Sequence, residues 1–276
     1  MLIYEIESEA VYAIGDMHGA FDPLINWIKR NDLKNCVIIC CGDIGFGFER
    51  PGHYEQIAHK FEKECSERNC VVIMLRGNHD DPSYFDGNKV DYPHFKAVPD
   101  YSIIKTCGKN ILCIGGGISV DRHERIINQR ANAYKYARWH NIPLDEAEKH
   151  IERKVYWENE GVVYDDEKLD EIKKSGINID VICSHTCPSF CEPLTKEGIK
   201  EWLLMDKELE SDLNEERSTM DKILERLKSD GQNIKKWIYG HFHYHYHNFD
   251  SVGGIDYVML DMFREYQNKF DMIEIK

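Results

Sequence analysis

The chain contains 276 residues, and 35 Lys and Arg residues against 49 Asp and Glu residues give it a formal net charge of −14, with an isoelectric point near 5.4. This length can bury a sizeable core, and we predict one domain spanning residues 1–276. The negative charge disfavours long duplex nucleic acid as a partner, whereas small anionic substrates stay open because a metal-filled cleft can attract a single phosphate group.

Short apolar runs ending in a polar residue recur along the chain and are predicted to be buried strands. They lie at Val11–Ile14, Cys36–Cys41, Val71–Leu75, Ile111–Ile114, Val181–Cys183 and Trp237–Tyr239. Between the first three, apolar residues spaced three or four apart predict crossover helices at Asp22–Ile28 and Tyr54–Phe61. This alternation predicts an α/β fold whose ligands bind beyond the carboxyl ends of the strands.

Two later stretches depart from this rhythm and are interpreted as helical insertions. They cover about residues 121–179 and 195–230, where apolar residues at helical spacing lie in a highly charged background. Each follows a predicted strand end, so each could form a lid over the cleft; a solvated amphipathic helix is the alternative. The final segments Ile255–Leu260 and Phe270–Ile275 are predicted to be strands at a second, antiparallel sheet edge.

The chain shows no sign of secretion or membrane insertion. Its N-terminus lacks a basic region followed by an apolar stretch, and no window approaches about 18 uninterrupted apolar residues. The ten cysteines are expected to be reduced and mostly buried. We therefore expect a cytoplasmic protein that binds no membrane, while its oligomeric state leaves no trace in the sequence.

Polar side chains suited to metal binding follow the first two strands. Asp16 and His18 come just after the first strand, and in extended chain two residues separated by one other point to the same side. Asp43 follows the second strand, and its two carboxylate oxygens can bridge neighbouring cations. These positions are compatible with one shared metal centre.

Three further strand ends continue the pattern. Asn78, His79 and Asp80 follow the third strand, and His185 follows a later one. The last block places two more imidazoles after its strand, namely His241 and His243. Mixed carboxylate, imidazole and amide donors suit Mn, Fe, Zn or Ni better than a purely hard or purely thiolate-binding ion.

Each residue also has an ordinary explanation when taken alone. Asp16 could cap a helix, Asp43 could be a turn residue, and Asn78 could form a left-handed turn. His185 could be a core histidine with satisfied hydrogen bonds. Five successive strand ends that all finish in metal-competent residues favour a common site over five separate explanations.

The ordered blocks Asp-x-His, Gly-Asp, Gly-Asn-His-Asp, Ser-His and Gly-His-x-His resemble those of the calcineurin-like metallophosphoesterase superfamily, from Gly15 to His243. The resemblance implies a two-sheet β-sandwich flanked by helices, with metals at the strand ends. It implies one metal held by Asp16, His18, Asp43 and His243. It implies a second metal held by Asp43, Asn78, His185 and His241, so that Asp43 is the bridge. His79 would contact the substrate and assist the leaving oxygen.

This resemblance implies a dinuclear metal-dependent phosphoesterase acting on a small phosphorylated substrate, either a phosphomonoester or a phosphodiester. Two divalent transition metals, with Mn preferred over Fe, Zn and Ni, would provide a bridging hydroxide for in-line attack on phosphorus. Two such ions against two ligand carboxylates leave a charge of about +2 for a phosphate to meet. His79, if protonated, would donate a proton or stabilise charge on the departing oxygen.

The second block departs from the protein serine/threonine phosphatases of the superfamily, whose block has a later Asp that supports the catalytic His and an Arg that grips phosphate. Phe46 stands in place of that Asp, and no Arg follows at the matching position. The phosphoprotein phosphatase alternative is therefore weakened, and the group that orients His79 is left open. A nuclease and a non-catalytic, metal-binding interaction scaffold are further alternatives; the net charge opposes the first and retention of His79 opposes the second.

The stretch Gly115–Arg125 resembles a glycine-rich segment of bacterial and phage-type members of the superfamily and points to that branch. Arg122 and Arg125 could bind a phosphate from this loop, or they could be solvated side chains after a hairpin. Arg76 could likewise reach the phosphate, or it could pair with a nearby carboxylate and brace its own loop. These three arginines are candidate substrate-binding residues.

Overall fold

A computed structural model describes residues 1–50, 52–150, 154–194, 198–264, 267 and 269–276. Its first sheet contains three parallel strands that the apolar runs predict, β2 (Ala10–Ile14), β3 (Cys36–Cys40) and β4 (Cys70–Met74). Three shorter strands complete this six-stranded sheet, which has the order β13-β2-β3-β4-β6-β5. They are β5 (Asp91–Tyr92), β6 (Phe95–Ala97) and β13 (Met272–Glu274).

A second, seven-stranded sheet has the order β1-β7-β8-β9-β10-β12-β11. Its strands are β1 (Ile3–Glu5), β7 (Ser102–Thr106), β8 (Lys109–Ile114), β9 (Val181–Ser184), β10 (Lys236–Tyr239), β11 (Tyr246–Asp250) and β12 (Ile255–Met259). The four central strands β8, β9, β10 and β12 are parallel to one another. On either side of them, β7 pairs antiparallel with β8, and β11 pairs antiparallel with β12.

The described residues form seven α-helices. They are α1 (Phe21–Arg30), α2 (His53–Ser66), α3 (Arg122–His140), α4 (Leu144–Lys149), α5 (Asp166–Ser175), α6 (Ile199–Met205) and α7 (Leu209–Ser229). The buried faces of α1 and α2 pack on the six-stranded sheet, and those of α5 and α7 pack on the seven-stranded sheet. A third apolar layer, including Val37, Ile39, Val181 and Ile238, lies between the sheets.

Two mixed sheets flanked by helices confirm the predicted fold class. Parallel pairing brings Ile14, Cys40 and Met74 into register at one edge of the six-stranded sheet. The same holds for Ile114, Ser184 and Tyr239 in the other sheet. The polar blocks that follow these strands are therefore carried to two neighbouring sheet edges.

The structure differs from the sequence interpretation in the first insertion. Helices α3, α4 and α5 occupy parts of the 121–179 stretch, but residues 154–165 contain no helix. Arg76 explains this locally, because its guanidinium donates to the backbone oxygens of Asn159, Glu160 and Gly161 and holds them in an irregular loop. Residues 151–153 of this stretch, and 195–197 of the second insertion, lie outside the described residues.

The C-terminal segments also differ from prediction, because they do not share one sheet edge. Strand β12 lies inside the seven-stranded sheet, parallel to β10, while β13 pairs antiparallel with β2 in the other sheet. Within the described part of the chain, no helix combines the length and apolar character needed to cross a bilayer.

Candidate metal centre

Four predicted ligands form a first donor group where the two sheets meet. One ligand atom from each of Asp16, His18, Asp43 and His243 lies within 4.8 Å of all the others. His243 Nε2 lies 3.2 Å from Asp16 Oδ2 and 3.1 Å from His18 Nε2. This is the residue set that the resemblance implies for one metal.

The remaining predicted ligands form a second donor group around His185. Its Nε2 atom lies 2.9 Å from Asn78 Oδ1, 3.2 Å from His241 Nδ1 and 3.3 Å from Asp43 Oδ1. The other ring nitrogen, Nδ1, lies 2.8 Å from the Cys41 backbone oxygen, which fixes the ring orientation. All seven predicted ligands are thus brought together.

Asp43 lies between the two groups. Its Oδ2 atom is 3.8 Å from His18 Nε2, on the side of the first group. Its Oδ1 atom faces His185 and also accepts a 2.7 Å hydrogen bond from the His79 backbone N–H. A carboxylate that offers one oxygen to each group has the geometry of a bridging ligand.

The centre is buried on one side and open on the other. Asp16, Asp43, Asn78, His185 and His241 are at most 4% exposed, whereas the side chains of His18 and His243 are 23% and 38% exposed. Burial alone would raise the pKa of Asp43, but the imidazoles of His185, His79 and His18 outweigh it and hold the pKa well below its usual value. Asp43 is therefore placed to be ionised.

The donor set fits divalent transition metals. Ligand bonds of about 2.0–2.2 Å place neighbouring ligand atoms roughly 3 Å apart, the spacing found between the imidazole nitrogens in both groups. Two nearly inaccessible carboxylates, Asp16 and Asp43, require compensating positive charge. The mixture of carboxylate, imidazole and amide donors matches the preferences of Mn, Fe, Zn and Ni.

Four of the predicted ligands have a left-handed backbone. The φ angle is 45° at His18, 47° at Asp43, 72° at His241 and 56° at His243. Such a conformation costs a non-glycine residue about 1–3 kcal/mol and persists where the surroundings enforce it, as they often do at functional sites.

Glycines in the motifs make room for ligands from neighbouring strands. A Cβ atom on Gly77 would lie 2.2 Å from Asp43 Oδ1. A Cβ atom on Gly240 would lie 2.1 Å from Asp16 Oδ1. Any side chain at these positions would displace a carboxylate, so the glycines are part of the packing of the centre.

Phe46 and Asp80 occupy structural positions beside the centre. Phe46 is fully buried and stacks on Tyr84 with ring centroids 5.1 Å apart. Asp80 accepts hydrogen bonds from the backbone N–H groups of the turn after β3 and of Gly77, at 2.8–3.0 Å. Burial and the neighbouring Asp43 raise the pKa of Asp80 to about 7. Asp80 therefore supports the loops and does not orient His79.

The group in contact with His79 is Arg125, in the first turns of α3. Arg125 Nη2 lies 3.1 Å and 3.0 Å from the two ring nitrogens of His79, and Arg125 Nε lies 2.7 Å from Asp121 Oδ1. The His79 ring also packs edge-on against His18, with centroids 5.3 Å apart. Burial lowers the pKa of His79 to about 4. The charge of Arg125 also lowers this pKa, whereas the charge of Asp43 raises it.

The other two candidate arginines make different contacts. Arg76 donates to Asp100 Oδ2 at 2.8 Å and to three backbone oxygens of residues 159–161, as a loop brace would. Arg122 pairs with Asp206 at 2.6 Å and Asp212 at 2.5 Å, linking α3 to the segment around α6 and α7. The structure places only Arg125 of the three against His79.

Three polar residues near the centre were not identified from the sequence. Ser119 Oγ accepts a 2.9 Å hydrogen bond from Asn78 Nδ2, and the Glu160 carboxylate accepts from Ser119. Glu216 of α7 accepts from the Ile118 backbone N–H and from Thr186 Oγ1. Ser119 lies inside the noted glycine-rich stretch, but the two glutamates lie in charged segments where no sequence signal distinguishes them.

A sequence profile of the family described as calcineurin-like phosphoesterase matches residues 10–245, which include all five motif blocks. No curated protein sequence matches the chain.

Solved structures that resemble the chain include a dimetal phosphatase from Danio rerio and the phosphopantetheinyl hydrolase PptH from Mycobacterium tuberculosis. The first is 13% identical, with 92% of this chain and 87% of that chain covered and a TM-score of 0.43. The second is 14% identical, with 96% and 95% covered and a TM-score of 0.41.

Proposed function

The chain belongs to the calcineurin-like phosphoesterase family, whose profile matches residues 10–245, and on this premise we propose that it is a dinuclear metal-dependent phosphoesterase. The observation that carries the proposal is the convergence of two donor groups that share Asp43. The substrate is a small phosphorylated molecule, hydrolysed as a phosphomonoester or a phosphodiester.

In this proposal the first donor group holds one ion and the second holds the other, with Mn as the preferred metal. When bound, the two ions supply a hydroxide nucleophile at neutral pH and neutralise charge on the phosphate. The exposed faces of His18 and His243 mark the side from which a substrate enters. The buried Asn78, His185 and His241 close the opposite side against water.

His79 and Arg125 form the substrate-facing pair of the proposed site. The permanently charged guanidinium lies beside the imidazole and makes protonation of the ring costly. As a neutral ring, His79 would accept the Arg125 N–H at one ring nitrogen and carry a proton on the other. The His79 N–H would then donate a hydrogen bond to the phosphate or to the departing oxygen, while Arg125 adds positive charge.

The test combines metal analysis of purified protein with hydrolysis of p-nitrophenyl phosphate and bis-p-nitrophenyl phosphate in Mn²⁺. Wild-type protein is expected to bind two ions and to hydrolyse at least one ester. Asp43→Asn replaces one of the two carboxylate oxygens with an NH₂ group and so removes the bridge, and activity is expected to fall by more than about 100-fold, since changes beyond the direct ligands alone cost about 10–100-fold.

His243→Asn and His245→Asn provide a matched pair for this test. Both residues lie after β10, but only His243 belongs to a donor group, whereas His245 is exposed and bonds Asp271. Loss of metal and activity is expected for the first alone. Protein that binds no transition metal, or an Asp43→Asn variant with full activity, would refute the proposal.

A further inference from the structure

The Asn78 side chain can ligate a cation only through Oδ1, because Nδ2 carries two protons and no available lone pair. The two ends of the amide have nearly the same shape, so packing alone does not select between them. In the structure Oδ1 lies 2.9 Å from His185 Nε2, inside the second donor group, and Nδ2 lies 2.9 Å from Ser119 Oγ. The Ser119 hydroxyl must therefore accept from the amide.

A serine hydroxyl can donate or accept, and Glu160 decides which. Its Oε2 atom lies 2.6 Å from Ser119 Oγ, and its Oε1 atom accepts from the Ser119 backbone N–H at 2.8 Å. Above its pKa of about 7 the Glu160 carboxylate is ionised and only accepts, so the hydroxyl proton points to Glu160 and the oxygen lone pairs face Asn78. Asn78, Ser119 and Glu160 are 4%, 2% and 1% exposed, which leaves little room for water to take over a partner's role.

The backbone of Glu160 is itself fixed. Its carbonyl oxygen accepts from Arg76 Nη1 at 2.7 Å and from the Gly117 N–H at 3.1 Å. Arg76 immediately precedes Gly77 and Asn78, so one short segment supplies both the oriented amide and the group that anchors its distant partner. The hydrogen bonds from Asn78 through Ser119 to Glu160 thus lead back, through Arg76, to the segment that carries Asn78.

We propose that Glu160 and Ser119 are positioning residues that fix the Asn78 amide with its oxygen toward the second metal. The inference rests on the proposed function, because it assigns a role toward one of the two ions. It adds a requirement that the seven ligands alone do not contain: the hydrogen-bond chain must run in one direction, from amide to hydroxyl to carboxylate.

Glu160→Gln tests the direction of the chain with almost no change in size. The glutamine oxygen is drawn to the Ser119 N–H, so its NH₂ group donates to the hydroxyl, and the hydroxyl then donates to Asn78. This arrangement favours the reversed amide, with NH₂ toward the metal. In titrations of the full chain with Mn²⁺ at pH 8, where the wild-type Glu160 is ionised, metal analysis is expected to show that the half-saturation concentration of one ion rises about 10–100-fold while that of the other is unchanged.

Ser119→Ala is expected to act in the same direction, and Ser119→Thr, which keeps the hydroxyl, is expected to restore two-ion binding. Glu216→Gln is the matched control. It alters a second buried carboxylate that holds the same loop through Ile118 and lies 2.6 Å from Thr186 Oγ1. It is expected to lower stability without a selective loss of one ion.

Two outcomes would overturn the inference while the proposed function stands. One is binding of both ions by Glu160→Gln and Ser119→Ala with wild-type half-saturation concentrations. The other is equal weakening of both ions in every variant, which indicates a general loss of stability. Wild-type protein that binds no ion would overturn the proposed function together with this inference.

Discussion

Asp80 is adjacent to His79 in sequence, yet its carboxylate accepts hydrogen bonds from the backbone of two loops. It accepts from the N–H groups of Ile44, Gly45, Phe46 and Gly77. These loops carry Asp43 and Asn78, so the carboxylate supports the two segments that follow β3 and β4 and hold the candidate ligands.

Asp80→Asn replaces one accepting oxygen with a donor that faces backbone N–H groups. Each buried donor left without an acceptor costs about 1–3 kcal/mol, so the free energy of unfolding of the metal-free protein is expected to fall by at least about 2 kcal/mol. Urea denaturation at pH 8 measures it. Asp81→Asn is the control, because Asp81 accepts from the N–H of Ser83 at an exposed position; equal losses in both variants would contradict this reading.

Glu160 gives the metal-free protein a defined pH dependence. Burial raises the pKa of Glu160 to about 7, although the hydrogen bonds from Ser119 lower it. Between an unfolded pKa of about 4.3 and this value the folded chain holds more protons than the unfolded chain. Its contribution to stability is therefore present at pH 5 and is lost as the pH rises through 7.

Thermal unfolding of the wild type and Glu160→Gln at pH 5 and pH 8, both with chelator, tests this sign. The glutamine does not titrate, so the advantage of the wild type over the variant is expected to shrink from pH 5 to pH 8. An advantage that stays constant from pH 5 to pH 8 would contradict the raised pKa, because it would mean that Glu160 is ionised throughout this range in the folded chain.

The seven candidate ligands could be selected from the sequence because each follows an apolar run. Burial of a strand makes its end recognisable, and parallel strands end at one edge. Ser119, Glu160 and the contact between His79 and Arg125 could not be selected in this way. Their partners are 41 or more residues away in the chain, and their orientation depends on loops without periodicity. The role of Arg76 was left open for the same reason.

Among the structural elements, buried parallel strands were predicted to within about two residues, since both of their faces are apolar. The strands β1, β5, β6, β7 and β11 were not predicted. Strand β11 is mostly exposed and β5 has only two residues, so neither has an apolar pattern long enough to detect. The crossover helices were recognised because α1 and α2 each bury one apolar face.

Gly240, at the end of β10, lies close to Asp16 in the loop after β2. Gly240→Ala would place Cβ against Asp16 Oδ1 and 3.2 Å from the Cys41 backbone oxygen. The strand end must then shift, so metal content is expected to fall well below that of the wild type. Gly161→Ala is the matched control, since its Cβ would meet only the tip of Ile118 at 3.3 Å; normal metal content in Gly240→Ala would contradict the argument.

At the scale of the whole molecule, the two sheets contribute different chemistry. The six-stranded sheet provides Asp16, His18, Asp43 and Asn78, and the seven-stranded sheet provides His185, His241 and His243. Each donor group contains residues from both. Assignment of the chain to the bacterial or phage-type branch, and to a single domain, stays a prediction.

Ions bound at the proposed centre would stabilise the folded chain by mass action. At 100 times the dissociation constant, a ligand bound only by the folded state contributes about 2.7 kcal/mol. The melting temperature is expected to rise with Mn²⁺ and to fall with chelator, and Asp43→Asn is expected to lose most of this response. Equal responses in the variant and the wild type would place the stabilising ion elsewhere.

We expect the apolar layer between the sheets to influence which divalent ion fits the proposed centre. Cys41 and Cys183 belong to that layer and adjoin Gly42 and Ser184, next to the ligands Asp43 and His185. The volume of such side chains sets the separation of the sheets and hence the distance between the carboxylates of one sheet and the imidazoles of the other. A methylene added to or removed from this layer is therefore expected to alter the distances between the ligands, and with them the preferred ionic radius.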